Sequence, residues 1–170
     1  MMTLEEAITK AIDYETRIRD LYREAVQGTE DPKGRQVFQA LADDEQRHID
    51  YLEVKRTQWY AEGRITVESL ASRIPAAELL AVNLEELEQA MAREDRTDEK
   101  RMLSKALQVE VETSAFYRRM VEQMEGDARA MFARFLEIED GHIAAVQAEL
   151  DYISHTGFWF DFQEFDLEHG

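Results

Sequence analysis

Cysteine is absent from this sequence. Within it, disulfides, thiolate metal sites and cysteine-ligated iron centres are therefore excluded, although the absence says little about compartment. Proline occurs only twice and glycine seven times, against abundant Ala, Leu, Glu, Arg and Met, a balance that points to an all-α protein. No apolar run approaches the roughly 18 residues that a spanning helix needs, and nothing resembles a signal peptide. A soluble, cytoplasmic protein with no membrane partner is expected. Basic side chains are outnumbered, 20 against 37 acidic, and the net charge of -17 argues against a nucleic-acid partner, because a polyanion would be repelled. At 170 residues the chain is most simply one domain, long enough to bury a sizeable core.

What is present is apolar spacing of helical period, in four stretches. The first begins at Thr3, where Thr3-Leu4-Glu5-Glu6 has the pattern in which a hydroxyl and a carboxylate satisfy otherwise unpaired backbone amides. Its stripe runs Leu4, Ala7, Ile8, Ala11, Ile12, Ile18, Tyr22, Ala25 and Val26, with Glu15 inside it. Gly28 suits a left-handed stop, and Asp31-Pro32 supplies a cap and a first-turn proline for the second helix. That helix turns Val37, Phe38, Leu41, Glu45, His48, Ile49 and Leu52 inward and ends near Gly63. The third starts at Thr97 or Asp98, with Leu103, Ala106, Leu107, Glu110, Ser114, Tyr117, Val121 and Met124 facing inward. Gly126-Asp127 makes a stop and a cap, and the fourth presents Phe132, Phe135, Leu136, Glu139, His142, Ile143, Val146, Leu150 and Ile153 before ending ahead of Gly157.

The short loops make each pair of helices antiparallel neighbours. Residues 64–96, with a break at Pro75 and a short helix expected over 84–92, are too long for a turn and read as a crossover running the length of the bundle. Residues 1–157 thus form the bundle. Residues 158–170 form a tail in which Phe158, Trp159, Phe160, Phe162 and Phe165 are too apolar to hang in water. The tail docks on its own bundle or on a partner subunit, and the partner is the favoured surface. The Met102, Met120, Met124 and Met131 set reads as core filling.

Ionisable residues interrupt each stripe at matching places. Glu45-Gln46-Arg47-His48 and Glu139-Asp140-Gly141-His142 are both Glu-x-x-His steps, which set a carboxylate and an imidazole about 60° apart on one helix face. Each has an upstream companion, Glu15 with Tyr22 and Glu110 with Tyr117, spaced by close to two turns. Ala11, Glu15 and Tyr22 match Ala106, Glu110 and Tyr117, and Phe38, Glu45 and His48 match Phe132, Glu139 and His142, so the chain is a helical hairpin stated twice. Four inward carboxylates in one core would each cost several kcal/mol if left unpaired, on the order of 2 to 7 even for neutral polar groups. Two divalent cations would cancel the four charges, with His48 and His142 giving each one nitrogen ligand. Carboxylate-rich sites with one imidazole per metal suit iron or manganese, and ligand type does not separate the two. Tyr22 and Tyr117 either hydrogen-bond to these carboxylates or are buried tyrosines satisfied by another acceptor. Asp44 lies one turn before His48, in reach of an imidazole as a hydrogen-bond acceptor, but its repeat counterpart is Ile138, so the surface or rim is the expected place for Asp44. His155 and His169 are the weaker metal candidates.

Through Glu15, Tyr22, Glu45, His48, Glu110, Tyr117, Glu139 and His142, and through the patterns AIDYETRIRDLY and ALQVEVETSAFY, residues 4–154 resemble the rubrerythrin branch of the ferritin-like superfamily. The resemblance implies a ferritin-like four-helix bundle, a non-haem centre of two iron ions, a homodimer, and reaction of ferrous iron with peroxide or oxygen. Rubrerythrin proper has a cysteine-ligated electron-transfer domain that is missing here, so re-reduction requires an external electron donor. The extra carboxylate that rubrerythrins place one turn beyond the third-helix Glu is Thr113 in this chain, and Glu112 points about 200° away. The redox-linked ligand shift tied to that carboxylate is not expected. Peroxide reduction is the leading function and iron oxidation or handling the related alternative. A metal-free helical interaction protein is the reading from another class, and it requires all four Glu residues to be exposed.

Overall fold

The computed structural model describes residues 1–72, 74, 97–156 and 159, and among them the chain is four helices and no strands. They are α1 (Leu4–Gly28), α2 (Pro32–Glu62), α3 (Thr97–Gln123) and α4 (Gly126–Thr156). No helix among the described residues is long and apolar enough to cross a membrane. The expected helix over 84–92 and the other tail aromatics lie outside them.

Local chemistry sets the helix ends. At the start of α1 the Glu6 amide donates to Thr3 Oγ1 at 3.2 Å and the Thr3 amide to Glu6 Oε2 at 2.8 Å. Asp31 Oδ1 accepts from the Lys33 amide at 2.9 Å, and Pro32 fills the first turn of α2, where no amide hydrogen is needed. Gly63, at φ 68, closes α2 by donating its amide to the Trp59 carbonyl. Gly126, at φ 59, turns the chain from α3 into α4, and Arg129 Nε donates to the Val121 and Met124 carbonyls left over at the end of α3. Gly28 does not behave as expected: it stays helical, and α1 is left through Thr29 in extended conformation. Asp31 must already cap α2, and an extended Thr29, itself buried, spans that short distance.

α1 packs on α2 and α3 on α4, and the two hairpins meet along α1 and α3. The core has two apolar clusters. One gathers Ile18, Tyr22, Phe38, Leu41, Leu103, Ala106 and Val146, and the other Ala7, Ile8, Leu52, Phe116, Tyr117, Met131, Phe132 and Phe135. On every helix the inward carboxylate falls between the residues of one cluster and those of the other. The ionisable layer is therefore sealed by apolar plugs on both sides, which raises the cost of any charge left uncompensated there. Met120, Met124 and Met131 fill the core as expected, whereas Leu107 and Val121 pack only at its margin.

Trp159, the one tail aromatic among the described residues, lies on its own chain, which is the less favoured of the two surfaces expected for the tail. It is 3% exposed, meets Phe38 edge-on at 5.2 Å between ring centroids, and donates Nε1–H to Glu99 Oε2 at 3.1 Å. Gly34 makes the room: a Cβ there would come within 2.5 Å of the indole. Gly34→Ala is expected to expel the indole and cost about 1–3 kcal/mol, as overpacked cores do. In a Trp59→Phe background, where only Trp159 emits, its fluorescence should shift to the red. An unshifted spectrum would mean that the slot does not hold this ring.

Candidate metal centre

The layer between the plugs draws one carboxylate from each helix and an imidazole from two. Glu15 comes from α1, Glu45 and His48 from α2, Glu110 from α3, and Glu139 and His142 from α4, and all six are 0% exposed. A metal-free interaction surface built on these four glutamates therefore loses its premise.

The six fall into two sets. Glu15, Glu45, His48 and Glu139 offer ligand atoms within 4.8 Å of one another, and so do Glu45, Glu110, Glu139 and His142. His48 Nδ1 lies 3.3 Å from Glu45 Oε2, 3.6 Å from Glu15 Oε2 and 3.7 Å from Glu139 Oε1. His142 Nδ1 lies 2.6 Å from Glu45 Oε1, 3.4 Å from Glu110 Oε1 and 3.8 Å from Glu139 Oε2. Glu45 and Glu139 thus belong to both sets with one oxygen turned to each imidazole, while Glu15 and Glu110 each belong to one. The two imidazoles stack at 5.5 Å with 14° between their planes.

The donor set fits cations because so much of it is otherwise unsatisfied. Glu15 Oε2, both oxygens of Glu45 and of Glu139, both nitrogens of His48, Glu110 Oε2 and His142 Nδ1 are buried with no partner in full hydrogen-bond geometry among the described residues, although protons shared between them, as across the 2.6 Å from His142 Nδ1 to Glu45 Oε1, offset part of the lack. Buried polar atoms are ordinarily paired, and an isolated lapse is rare. Nine in one layer is a concentration that two divalent ions would relieve.

With protons as the only cations the layer sorts itself electrostatically. Burial pushes Glu45 and Glu139 well above the usual carboxylate range, and the charges of Glu15 and Glu110 respectively push them further. Burial also raises Glu15, but Glu45, the His48 charge and the Tyr117 hydroxyl more than offset it and bring the group to about 2. Glu110 is likewise lowered against burial, by Glu139, His142 and Tyr22. Burial disfavours a charged His48, yet Glu15 and Glu45 raise it to about 10, and His142 is raised well above its ordinary value by Glu45 and Glu110. His48 therefore holds its proton at neutral pH, and Glu45, Glu139 and His142 are shifted in the same, proton-holding direction.

The tyrosines take the more specific of their two expected roles. Tyr22 of α1 donates to Glu110 Oε1 of α3, and Tyr117 of α3 donates to Glu15 Oε1 of α1, both at 2.6 Å. Burial, then the neighbouring carboxylate charge, raises both phenols well above the usual value and keeps them donors. Tyr117→Phe and Tyr22→Phe should each weaken metal binding about tenfold, at the lower end for residues that orient a ligand. Competition with a chelator would read this, and variants that bind as tightly as the parent would reduce the tyrosines to core filling.

Asp44 is a correction. It is 0% exposed rather than at the rim, with Oδ2 at 2.7 Å from His142 Nε2 and 3.5 Å from His48 Nε2, and Oδ1 accepting from Arg47 at 2.5 Å. The repeat comparison missed it because the outer imidazole nitrogens converge on α2, where one carboxylate serves both, and the Ile138 position of α4 needs none. Its spacing four residues before His48 was the available signal. Asp44 sits well below the usual carboxylate range: burial raises it, but the His142 hydrogen bond and charge, His48 and Ser72 outweigh that. Thr113 donates to the Val109 carbonyl at 2.9 Å and is buried, while Glu112 pairs with Arg17 at the surface, so no further carboxylate enters the layer there. His155 is exposed and turned to the Asp151 carbonyl, and His169 lies outside the described residues.

Compared with protein-family models, curated proteins and solved structures, the chain has no match. The class of protein defined by the described residues is a four-helix one with a buried, two-set carboxylate and imidazole layer that could hold metal ions.

Proposed function

We propose that this chain is a ferritin-like, rubrerythrin-related protein whose two metal sites take iron and reduce hydrogen peroxide. The observation that carries the reading is the pairing of the two donor sets through Glu45 and Glu139, with the buried donors around them unsatisfied. Glu15, His48 and the shared carboxylates would hold one ion, and Glu110, His142 and the same carboxylates the other. Bound there as ferrous ions, the pair would supply the two electrons that H2O2 + 2H+ + 2e- → 2H2O consumes.

The chain's own part is to prepare the place. Apolar clusters on both sides keep bulk water out, so charges within the layer interact strongly. Tyr22 and Tyr117 fix one oxygen each of Glu110 and Glu15, leaving the other free to bind. Asp44 accepts the outer nitrogen of His142 and approaches that of His48, turning both Nδ1 atoms towards the carboxylates. Since the sequence has no cysteine, electrons return from an external donor rather than from a cysteine-ligated iron module within it. Anaerobic loading with ferrous iron followed by titration with peroxide tests the proposal. About one peroxide consumed per two irons, repeated after each reduction, is expected from the electron balance. Net uptake of iron well beyond two per chain would replace it with iron handling.

A further inference from the structure

Ser72 stands on the crossover, outside every helix, yet the described start of that segment is fastened along the bundle. Ile65, Leu70 and Ile74 are buried, and Lys55, 2% exposed on α2, forms an ion pair with Glu68. The Tyr51 hydroxyl donates to the Glu68 carbonyl at 3.2 Å, the Thr66 amide to Gln58 Oε1 at 3.0 Å, and Arg134 Nε of α4 to the Leu70 carbonyl at 2.8 Å. This strap brings Ser72 against the layer of ligands.

Ser72 Oγ accepts the Ile74 amide at 3.1 Å and donates to Asp44 Oδ2 at 2.7 Å. A hydroxyl has one hydrogen, and with a backbone amide already on its acceptor side that hydrogen is directed at Asp44. The oxygen it reaches is the one lying at 2.7 Å from His142 Nε2 and 3.5 Å from His48 Nε2. Arg47 holds the other oxygen. Rotation of the Asp44 carboxylate would break both grips, so its Oδ2 is kept between the two outer imidazole nitrogens.

We infer that Ser72 is a positioning residue for the metal centre, acting through Asp44 on the orientation of both imidazoles, so that the crossover is part of the centre rather than only a connection. The inference rests on the dimetal reading.

Cobalt(II) serves as the probe, because its visible spectrum reports donor set and geometry without any turnover. It would be titrated into the full chain, Ser72→Ala, Ser72→Thr, Asp44→Asn and the Ser72→Ala/Asp44→Asn double variant, with circular dichroism to verify the helices. Ser72→Ala should bind about tenfold more weakly with an altered spectrum, Ser72→Thr should restore both, and Asp44→Asn should lose at least as much as Ser72→Ala. The double variant should be no weaker than Asp44→Asn alone, since a residue acting through Asp44 has nothing left to act on. A Ser72→Ala protein with the parent's affinity and spectrum overturns the inference. So does a loss that adds in full to that of Asp44→Asn, because a strap that only braces the fold would act independently of it. Failure of the parent chain itself to bind cobalt overturns the dimetal reading and this inference with it.

Discussion

Replacing Glu45 and Glu139 together with alanine is expected to abolish binding of both metal ions while the four helices persist. Each of these carboxylates turns one oxygen to the His48 set and the other to the His142 set. Without them each cation keeps one carboxylate and one imidazole, too few for a site built from side chains alone. The fold should survive because both groups are buried carboxyls pushed towards the neutral form, and without them Glu15 keeps His48 and Tyr117 and Glu110 keeps His142 and Tyr22 as partners. Glu15→Ala is the informative contrast. Glu15 belongs only to the His48 set, so that variant should lose chiefly one ion and keep the other. Elemental analysis after anaerobic ferrous loading would distinguish the two. Two ions retained in the double variant would place the metals elsewhere.

Metal affinity should rise steeply with pH. His48 is raised to about 10 and so holds a proton at neutral pH, while Glu45, Glu139 and His142 are shifted in the same, proton-holding direction. A metal ligand must give its proton up. Binding of cations should therefore displace protons, His48's among them, and affinity should rise about tenfold per pH unit around neutrality for each proton released. The slope should flatten as pH approaches about 10, where His48 loses its proton unaided. Calorimetric titration in buffers of different ionisation enthalpy counts the protons directly. A count near zero would mean that the layer is already deprotonated, or that the cation binds elsewhere.

With protons as the only cations the same shifts govern stability. His48, raised from 6.5 to about 10, contributes stability that is fully present below 6.5 and lost as pH rises through about 10. Glu15, lowered from 4.5 to about 2, contributes stability that is present above 4.5 and lost as pH falls through about 2. Between roughly 4.5 and 6.5 both contributions stand together.

The helices and the inward carboxylates were legible because the chain states them twice. A lone Glu15 on an apolar stripe has many explanations, but Glu15 and Glu110 at matching places, each with a tyrosine two turns on, have few, and the coordinates bring all six ionisable candidates into one layer. The same symmetry misled at Asp44, since the acceptor for the outer imidazole nitrogens is single and α4 carries Ile138 at the equivalent place. Gly34 gave no warning of its part as a slot, because nothing local to a first-turn glycine announces that an indole from the far end of the chain will need the missing Cβ. Ser72 was silent for a related reason: the stretch of crossover around it has no helical period from which a facing direction can be read. Lys55 was more accessible. It follows His48 by close to two turns and so shares its buried face, where Glu68 meets it.

The most direct test of the central claim is the iron content and Mössbauer spectrum of the full chain loaded anaerobically with ferrous iron and then oxidised with peroxide. About two irons per chain, oxidised together as one magnetically coupled pair, is the result expected of cations joined by Glu45 and Glu139. A single uncoupled iron, or none, would contradict the account and leave the buried carboxylates without the partners their geometry calls for.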